Sequence, residues 1–432
     1  MTGPRLGVVA DDVTGACDLA DAVRDAGGSA VVVLGVPGPD LDLPPCDGAV
    51  VALRTRTAPP AQAVAESVAA ARWLLDHGAQ SIYQKYCSTF DSTDEGTIGP
   101  VADALRGLLG PGTVSVGTPA TPRAGRTQYQ GHLFVGDRLL SESPLRDHPL
   151  TPMHDPDLVR VLGRQTPGRV GLLPWAALRS GDPAEALARL VADGTEHVLA
   201  DALTDEDLDV LAGAALALGS GAPGGRVLLG GAAGLAAAVA RAGGRATTGP
   251  TDAGPDAPRP DGGRALIVSG SCSARTLEQV AAFDGPRVVL DAVALDADPA
   301  AALDAVLREV AAAFGSGDGP VLVSSTADPA AVRATQDRLG VRHAAALLEQ
   351  AAGEVAARAV RDLGVRRLLV AGGETSGAVA GALGLRVLHV GPAAAPGVPW
   401  MVPATGPRVA VLLKSGNFGA PDLFRTAWEV CP

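Results

Sequence analysis

Lysine and asparagine are almost missing from this chain. Of its 35 basic residues only Lys85 and Lys414 are lysines, and Asn417 is the single asparagine. An Arg- and Ala-rich composition of this kind reflects coding bias, so a retained lysine marks a place where the flat guanidinium fork of arginine does not replace a compact ammonium. Aromatic residues are scarce at 3%, which leaves Val, Leu and Ala to fill the cores. A basic surplus is absent too. The net charge is −12, so nothing is available to neutralise a phosphate backbone, and general affinity for nucleic acid or anionic membrane is excluded. No apolar stretch approaches the ~20 residues of a membrane span. The N-terminus enters Leu6–Ala10 without the charged and apolar regions of an export signal, and a cytoplasmic protein is expected. The five cysteines, Cys17, Cys46, Cys87, Cys272 and Cys431, are odd in number and form no CxxC pair, as expected of reduced thiols rather than disulfides or structural zinc.

What is present suits two α/β domains. The chain has 432 residues, 47% of them hydrophobic and 19% charged, which is too long for one ordinary core and far from a disordered composition. Short β-rich runs alternate with Ala/Leu-rich helical patterns, the signature of mostly parallel sheets flanked by helices. Strands are expected at 6–10, 30–34, 49–53, 81–86, 113–116 and 198–200, then at 265–269, 288–290, 321–324, 367–371, 387–390 and 409–413. The clearest helix is 61–75, opened by Pro59 and Pro60, while 131–140 reads as a hairpin. Residues 246–263 are rich in Pro, Gly and Asp without hydrophobic period and read as a linker, which gives domains 1–245 and 264–432.

Two constellations in the first half carry chemistry. In VVADDVTGACDLADAV, residues 8–23, a hydrophobic strand ends in Asp11 and Asp12 just before a helix. Such a strand end faces the ligand crevice of a parallel sheet. Paired carboxylates there can bind sugar hydroxyls, hold Mg²⁺ or take a proton from an attacking hydroxyl, and Asp12 or Thr14 can equally cap the helix. In YQKYCSTFDSTDEGTIGP, residues 83–100, Lys85, Ser88, Thr89, Asp91, Ser92 and Thr93 converge before a glycine turn, matching a polyol or carboxylate ligand. Arg54 and Arg56 close the preceding strand and could fork onto a substrate carboxylate.

The second half repeats one design three times. VSGSCSART (268–276), LLVAGGETSGAVAGALG (368–384) and LLKSGNFGAPDLF (412–424) each run from a strand into Gly, Ser and Thr residues and then a helix. Backbone N–H groups bared by glycine, hydroxyl donors and a positive helix end make such turns good phosphate sites. Walker A, a strand-to-helix GxGxxG and GxSxG are all absent, which argues against P-loop, Rossmann dinucleotide and nucleophile-elbow hydrolase sites.

With DDVTGACDLA, KYCSTFDST, GGETSGAVAGALG, PGVPW and LKSGNFGAPDLF on view, the chain resembles the four-carbon acid sugar kinases over nearly its whole length. KYCSTFDSTDEGTIGPVADAL and GRTQYQGHLFVGDRLLSESPLRDHPLTPM are similar to the 3-oxo-tetronate kinase branch, with Cys87 where threonate and erythronate kinases carry an aspartate. Thr97 departs from the asparagine usual after the glycine. The resemblance implies a sugar-acid domain, an ATP domain and a reaction in the cleft between them. It implies transfer of the γ-phosphoryl group of ATP, with Mg²⁺, to the C4 hydroxyl of a 3-oxo-tetronate; a non-oxidised tetronate kinase or a non-catalytic sensor are the alternatives. Asp12 would accept the hydroxyl proton, with Asp11 or Asp91 as substitutes. Asp11, Arg54, Lys85, Ser88 and Asp91 would bind the sugar acid; Ser271, Ser273, Gly372, Gly373, Glu374, Thr375 and Gly416 would contact ATP. The metal ligands stay unassigned, and a homo-oligomer is left open.

Overall fold

The computed structural model describes residues 3–147, 151–221, 227–243, 262–325 and 329–432. The chain divides into two compact units, Met1–Pro250 and Thr251–Pro432. Of the expected linker 246–263, only Gly262 and Gly263 are among the described residues. No helix among the described residues is long and apolar enough to cross a membrane.

The strands of the first unit, in chain order, are β1 (Leu6–Ala10), β2 (Ala30–Leu34), β3 (Gly48–Ala52), β4 (Ser81–Lys85), β5 (Val114–Thr118), β6 (Arg126–Tyr129), β7 (His132–Val135), β8 (Arg138–Leu139), β9 (Val170–Leu173), β10 (His197–Ala200) and β11 (Val227–Gly231). Eight of them form a sheet in the order β2-β3-β1-β4-β11-β5-β10-β9, and every pairing in it is parallel. β1, β2 and β3 are buried along their whole length, as the continuous apolar runs of a sheet covered on both faces require. β6, β7 and β8 make a separate antiparallel sheet. The hairpin expected from residue 131 begins earlier, at Arg126, because the tight turn falls at Gln130 and Gly131, both at positive φ.

The second unit carries β12 (Arg264–Ser269), β13 (Arg287–Val289), β14 (Val321–Ser324), β15 (Val365–Ala371), β16 (Val387–Ala395), β17 (Val398–Pro403) and β18 (Ala410–Lys414). The order is β13-β14-β12-β15-β18-β17-β16, parallel from β13 through β18 and antiparallel at β17 and β16. β17 escapes a sequence reading because Pro399 and Pro403 argue against an inner strand. It is held nonetheless by a buried Trp400, whose indole N–H donates to the Ala427 carbonyl at 2.8 Å.

Both sheets reverse their winding at a definable place. After β1 the chain moves to β2 and β3 on one side, and after β4 it moves to β5 on the other, so the switch lies between β1 and β4. In the second unit β12 leads to β13 and β14 while β15 leads the opposite way, so the switch lies between β12 and β15. Crevices at the carboxyl ends of strands flanking such a switch are the ligand sites of open α/β sheets.

Candidate active site

The DDVTG segment leaves β1 at the first switch. The Asp11 amide donates to the Lys85 carbonyl at 3.1 Å, while the Asp11 carbonyl accepts from Thr55 and Arg56 N–H at 2.9 and 3.3 Å. The chain after β3 therefore curls around Asp11 and brings the Arg56 side chain back to it. The Arg56 Nε and Nη2 fork onto the two Asp11 carboxylate oxygens, both at 2.9 Å, and Nη2 also reaches Asp12 Oδ1 at 2.5 Å. Arg56 Nη1 lies 4.0 Å from Asp91. Arg54, expected in the substrate site, is exposed and takes no part in this fork; the turn at Thr55 selects Arg56 instead.

Asp12 has two attachments. Its Oδ2 accepts from the Thr14 hydroxyl at 2.8 Å and the Gly15 N–H at 3.1 Å, the N-cap of the helix Val13–Asp25. Burial opposes its charge, yet the Arg56 and Lys85 charges with these hydrogen bonds hold its carboxyl well below the ordinary carboxylate range. For Asp11 burial outweighs the pull of Arg56 and raises the carboxyl. Lys85, at the end of β4, is 3% exposed. A Cβ on Gly15 would fall against Asp12 Oδ1 and only 2.6 Å from Lys85 Nζ, so glycine is what lets the ammonium lie across the first turn of the helix.

The loop after β4 is tied down from inside. Thr89 Oγ1 donates to Asp91 at 2.6 Å and pairs with Cys87 Sγ at 2.9 Å; Gln165 Nε2 holds Ser92 Oγ at 2.8 Å and the Thr93 carbonyl at 2.6 Å. Phe90, fully buried against Tyr86, takes φ of 54°, a strained value for a bulky residue and common in loops shaped around a ligand. Burial pushes the Cys87 thiol up to about 11, which removes it as a nucleophile. Ser88 is half-buried, and Thr97 stands at the N-cap of the helix Ile98–Leu109 without a side-chain cap bond.

At the second switch the three Gly/Ser/Thr turns are brought together by adjacency of β12, β15 and β18. Gly270 and Ser271 N–H both donate to the Ala371 carbonyl, at 3.0 and 3.2 Å, and Gly372 N–H donates to the Lys414 carbonyl at 3.0 Å. Gly372 has φ of 125° and precedes the helix Gly373–Ala382, which has no side-chain cap. Gly373 and Glu374 are exposed at the first turn of that helix, where N–H groups have no carbonyl partner within the helix itself. A Cβ on Gly416 would lie 2.5 Å from Ser271 Oγ and 2.9 Å from Ser273 Oγ. A cavity of about 610 Å³ adjoins these turns, with Leu290, Val341 and Leu348 on its apolar side and Ser324, Glu374 and Thr375 on its polar side. By contrast, a cavity of about 380 Å³ lined by Arg5, Asp47 and Gln80 lies at the opposite, amino-terminal end of β1 and β4, away from the switch.

Ser273 is engaged within the protein: its Oγ caps the helix Ala274–Ala282 through Thr276 N–H and donates to Thr276 Oγ1. Thr276 Oγ1 in turn donates to the Gly416 carbonyl at 2.8 Å, and Lys414 Nζ donates to both at 3.1 Å. Thr276 and Lys414 were not among the expected ATP residues; the rarity of lysine was the signal for the second. Burial, with the nearby Arg275 charge, lowers the Lys414 ammonium to about 7. In an unfolded chain a lysine stays protonated to about 10.4. Between those values the unfolded chain binds more protons than the fold, so this residue makes stability rise with pH. Without nucleotide, the melting temperature of the wild type should therefore climb relative to that of Lys414→Met between about pH 7 and 9. Parallel curves would show that the ammonium is not buried in solution.

Comparison with known proteins finds two families in succession along the chain. The family described as sugar-binding N-terminal domain matches residues 6–239, and the one described as nucleotide-binding C-terminal domain matches residues 266–424. The 3-oxo-tetronate kinase of Methylobacterium radiotolerans is 46% identical, covering 98% of this chain and 99% of the relative; that of Burkholderia multivorans is 45% identical, covering 98% and 96%. The chain belongs to the four-carbon acid sugar kinase family, in its 3-oxo-tetronate kinase branch. The resemblance carried by the motifs is thus borne out, as is the α/β class with mostly parallel sheets. Among solved structures, a Salmonella typhimurium protein titled a putative tRNA synthase superposes on this family member with TM-score 0.84 at 38% identity, covering 98% of each chain. A Haemophilus influenzae protein does so with TM-score 0.76 at 36% identity, covering 99% and 100%.

Proposed function

We propose that the protein transfers the γ-phosphoryl group of ATP to the C4 hydroxyl of a 3-oxo-tetronate, giving the 4-phosphate. Relatives spanning its full length carry that name. The observation that carries the reading is that each switch point holds one half of the required chemistry. In residues 1–245 the ammonium of Lys85, the hydroxyl of Ser88 and the carboxylates of Asp11 and Asp91, both near Arg56, would bind a small polyhydroxy acid. In residues 264–432 the N–H groups of Gly373, Glu374 and Thr375 and the Ser271 and Gly416 turns receive the phosphates beside the apolar cavity.

Phosphoryl transfer needs positioning and charge neutralisation more than covalent help from the protein. Mg²⁺ binds through phosphate oxygens, waters and one or two carboxylates, and the exposed Glu374 at the start of the phosphate-facing helix suits that donor set. Among the described residues no cluster of three His, Cys, Asp or Glu side chains forms a cage for it. When bound, the ion neutralises charge on the transferred group. The cytoplasm is the matching compartment for an ATP-dependent enzyme.

ADP release measured with 3-oxo-tetronates, threonate, erythronate and no acceptor tests the reading. Turnover should be largest with a 3-oxo-tetronate. Equal rates on the non-oxidised acids would overturn the assignment of substrate, and ADP release with no acid at all would overturn the kinase reading.

A further inference from the structure

Three polar side chains of the first unit have hydrogen-bonding capacity unused among the described residues. Lys85 Nζ lies across the first turn of the helix Val13–Asp25 and donates to nothing among the described residues, although the residue is only 3% exposed. Arg126, at the start of β6, uses one guanidinium nitrogen on the Ala124 carbonyl, while its buried Nε is unpaired. Asp18 is half-buried and makes no side-chain hydrogen bond among the described residues, yet it feels the charges of both Lys85 and Arg126. Buried polar groups are paired in native proteins with few exceptions, and an exception calls for a reason such as a catalytic role or a bound group.

Helix geometry puts Lys85 and Asp18 on one ridge, and the Arg126 charge acts on Asp18 from the hairpin. Gly15 and Asp18 are three residues apart on one helix and share a face. Lys85 Nζ stands against Gly15, so the Asp18 carboxylate follows one turn further along the same ridge. Two cationic donors and one carboxylate match a ligand that brings an acid group and a hydroxyl. We propose that Asp18, rather than Asp12, accepts the proton of the attacking hydroxyl, while Lys85 and Arg126 hold the acid end of the same substrate. This rests on the kinase reading above.

The substrate C4 oxygen forms a bond to the γ-phosphorus of the nucleoside triphosphate, and the bond from that phosphorus to the β,γ-bridging oxygen breaks. The electron pair of the broken bond leaves with ADP. The hydroxyl proton passes to the Asp18 carboxylate and from there to water. Asp12 is poorly suited to this task, since one of its oxygens caps the helix and the other takes the Arg56 contact. Asp18 has both oxygens available. Burial raises its carboxyl to about 6, with Lys85 and Arg126 pulling it down and Asp12 pushing it up, which leaves an ionised group of useful basicity near neutral pH. Beyond these three, Cys17 on the same helix titrates far above the range, held up first by burial.

The test is kcat and KM for wild type, Asp18→Asn, Asp12→Asn and Arg126→Gln, measured by ADP release across the pH range. A base must be ionised to act, so wild-type activity should fall as pH drops through about 6. In Asp18→Asn turnover should drop about 10²-fold or more, the scale of a lost general base, and the acidic limb should vanish while ATP binding stays intact. Arg126→Gln should raise KM for the sugar acid and leave KM for ATP unchanged. A near-normal rate in Asp18→Asn, or an acidic limb that disappears in Asp12→Asn instead, overturns the assignment. Should Asp18→Asn not fold, Asp18→Glu replaces it: a slower enzyme that keeps the acidic limb supports the role, and an unaltered rate overturns it. Failure of the wild type to release ADP with any four-carbon acid would count against the kinase reading itself, not against Asp18.

Discussion

Gly15→Ala is expected to lower turnover by about 10³-fold while the protein stays folded and still binds ATP. The added Cβ falls against Asp12 Oδ1 and 2.6 Å from Lys85 Nζ, both of which must move. A displacement of about 1 Å in a positioned group is enough to cost about 10²-fold, and here an ammonium and a carboxylate that contacts Arg56 shift together. Stability should change little, because alanine is favoured over glycine by about 1 kcal/mol in a helix and offsets part of the strain. Nucleotide affinity should be retained, since the turns proposed to hold the phosphates all belong to the second unit. Steady-state rates with an ATP-binding titration check this. Normal rates in the Gly15→Ala enzyme would mean that Lys85 does not need its place over the helix.

Gly372→Val is expected to abolish ATP binding at working concentrations, a loss of more than about 10²-fold, and to lower the melting temperature by about 5 °C. Its φ of 125° lies where a β-branched residue is not tolerated, and such a residue costs about 1–3 kcal/mol or forces the peptide to turn. Turning it would redirect the first N–H groups of the helix Gly373–Ala382, and a Cβ there would press on Thr375 Oγ1 at 3.1 Å and Ser271 N at 3.3 Å. Gly373→Val supplies the contrast. Gly373 opens the helix without a positive φ and is exposed, so its valine variant should keep the melting temperature and lose affinity only through a clash with phosphate. Calorimetric titration with ATP beside thermal melting separates the two. Equal behaviour of both variants would place the constraint on the ligand and not on the backbone.

The sequence by itself determined the α/β class, most of the parallel strands and the family. Each of these is written in local terms: continuous apolar runs such as LGVVA, carboxylates or glycines at the strand ends, and motifs whose residues are contiguous. It also marked both regions proposed to bind ligands, because DDVTG, the loop after Lys85 and the three glycine turns each carry their signal within one short contiguous segment. It missed Val170–Leu173 at the sheet edge and two inner strands whose local signal is weak. Val227–Gly231 ends in two glycines and Val398–Pro403 contains prolines, and each is a strand because neighbours on both sides complete its hydrogen bonds.

Only the tertiary structure decided which side chains face one another. That Arg56 and not Arg54 clasps Asp11 follows from the turn at Thr55, where two amides share one carbonyl, and nothing in RTRT distinguishes the two arginines. Asp18 sits in a stretch that reads as an ordinary helix face, and it gains meaning only when β4 lays Lys85 over Gly15 and the hairpin adds the charge of Arg126. The buried Lys414 likewise loses its solvation only in the packed sheet, where Thr276, from the helix that follows β12, accepts one of its hydrogen bonds. Strand order and helix register set these distances, and both are properties of the packed sheet that no single segment contains.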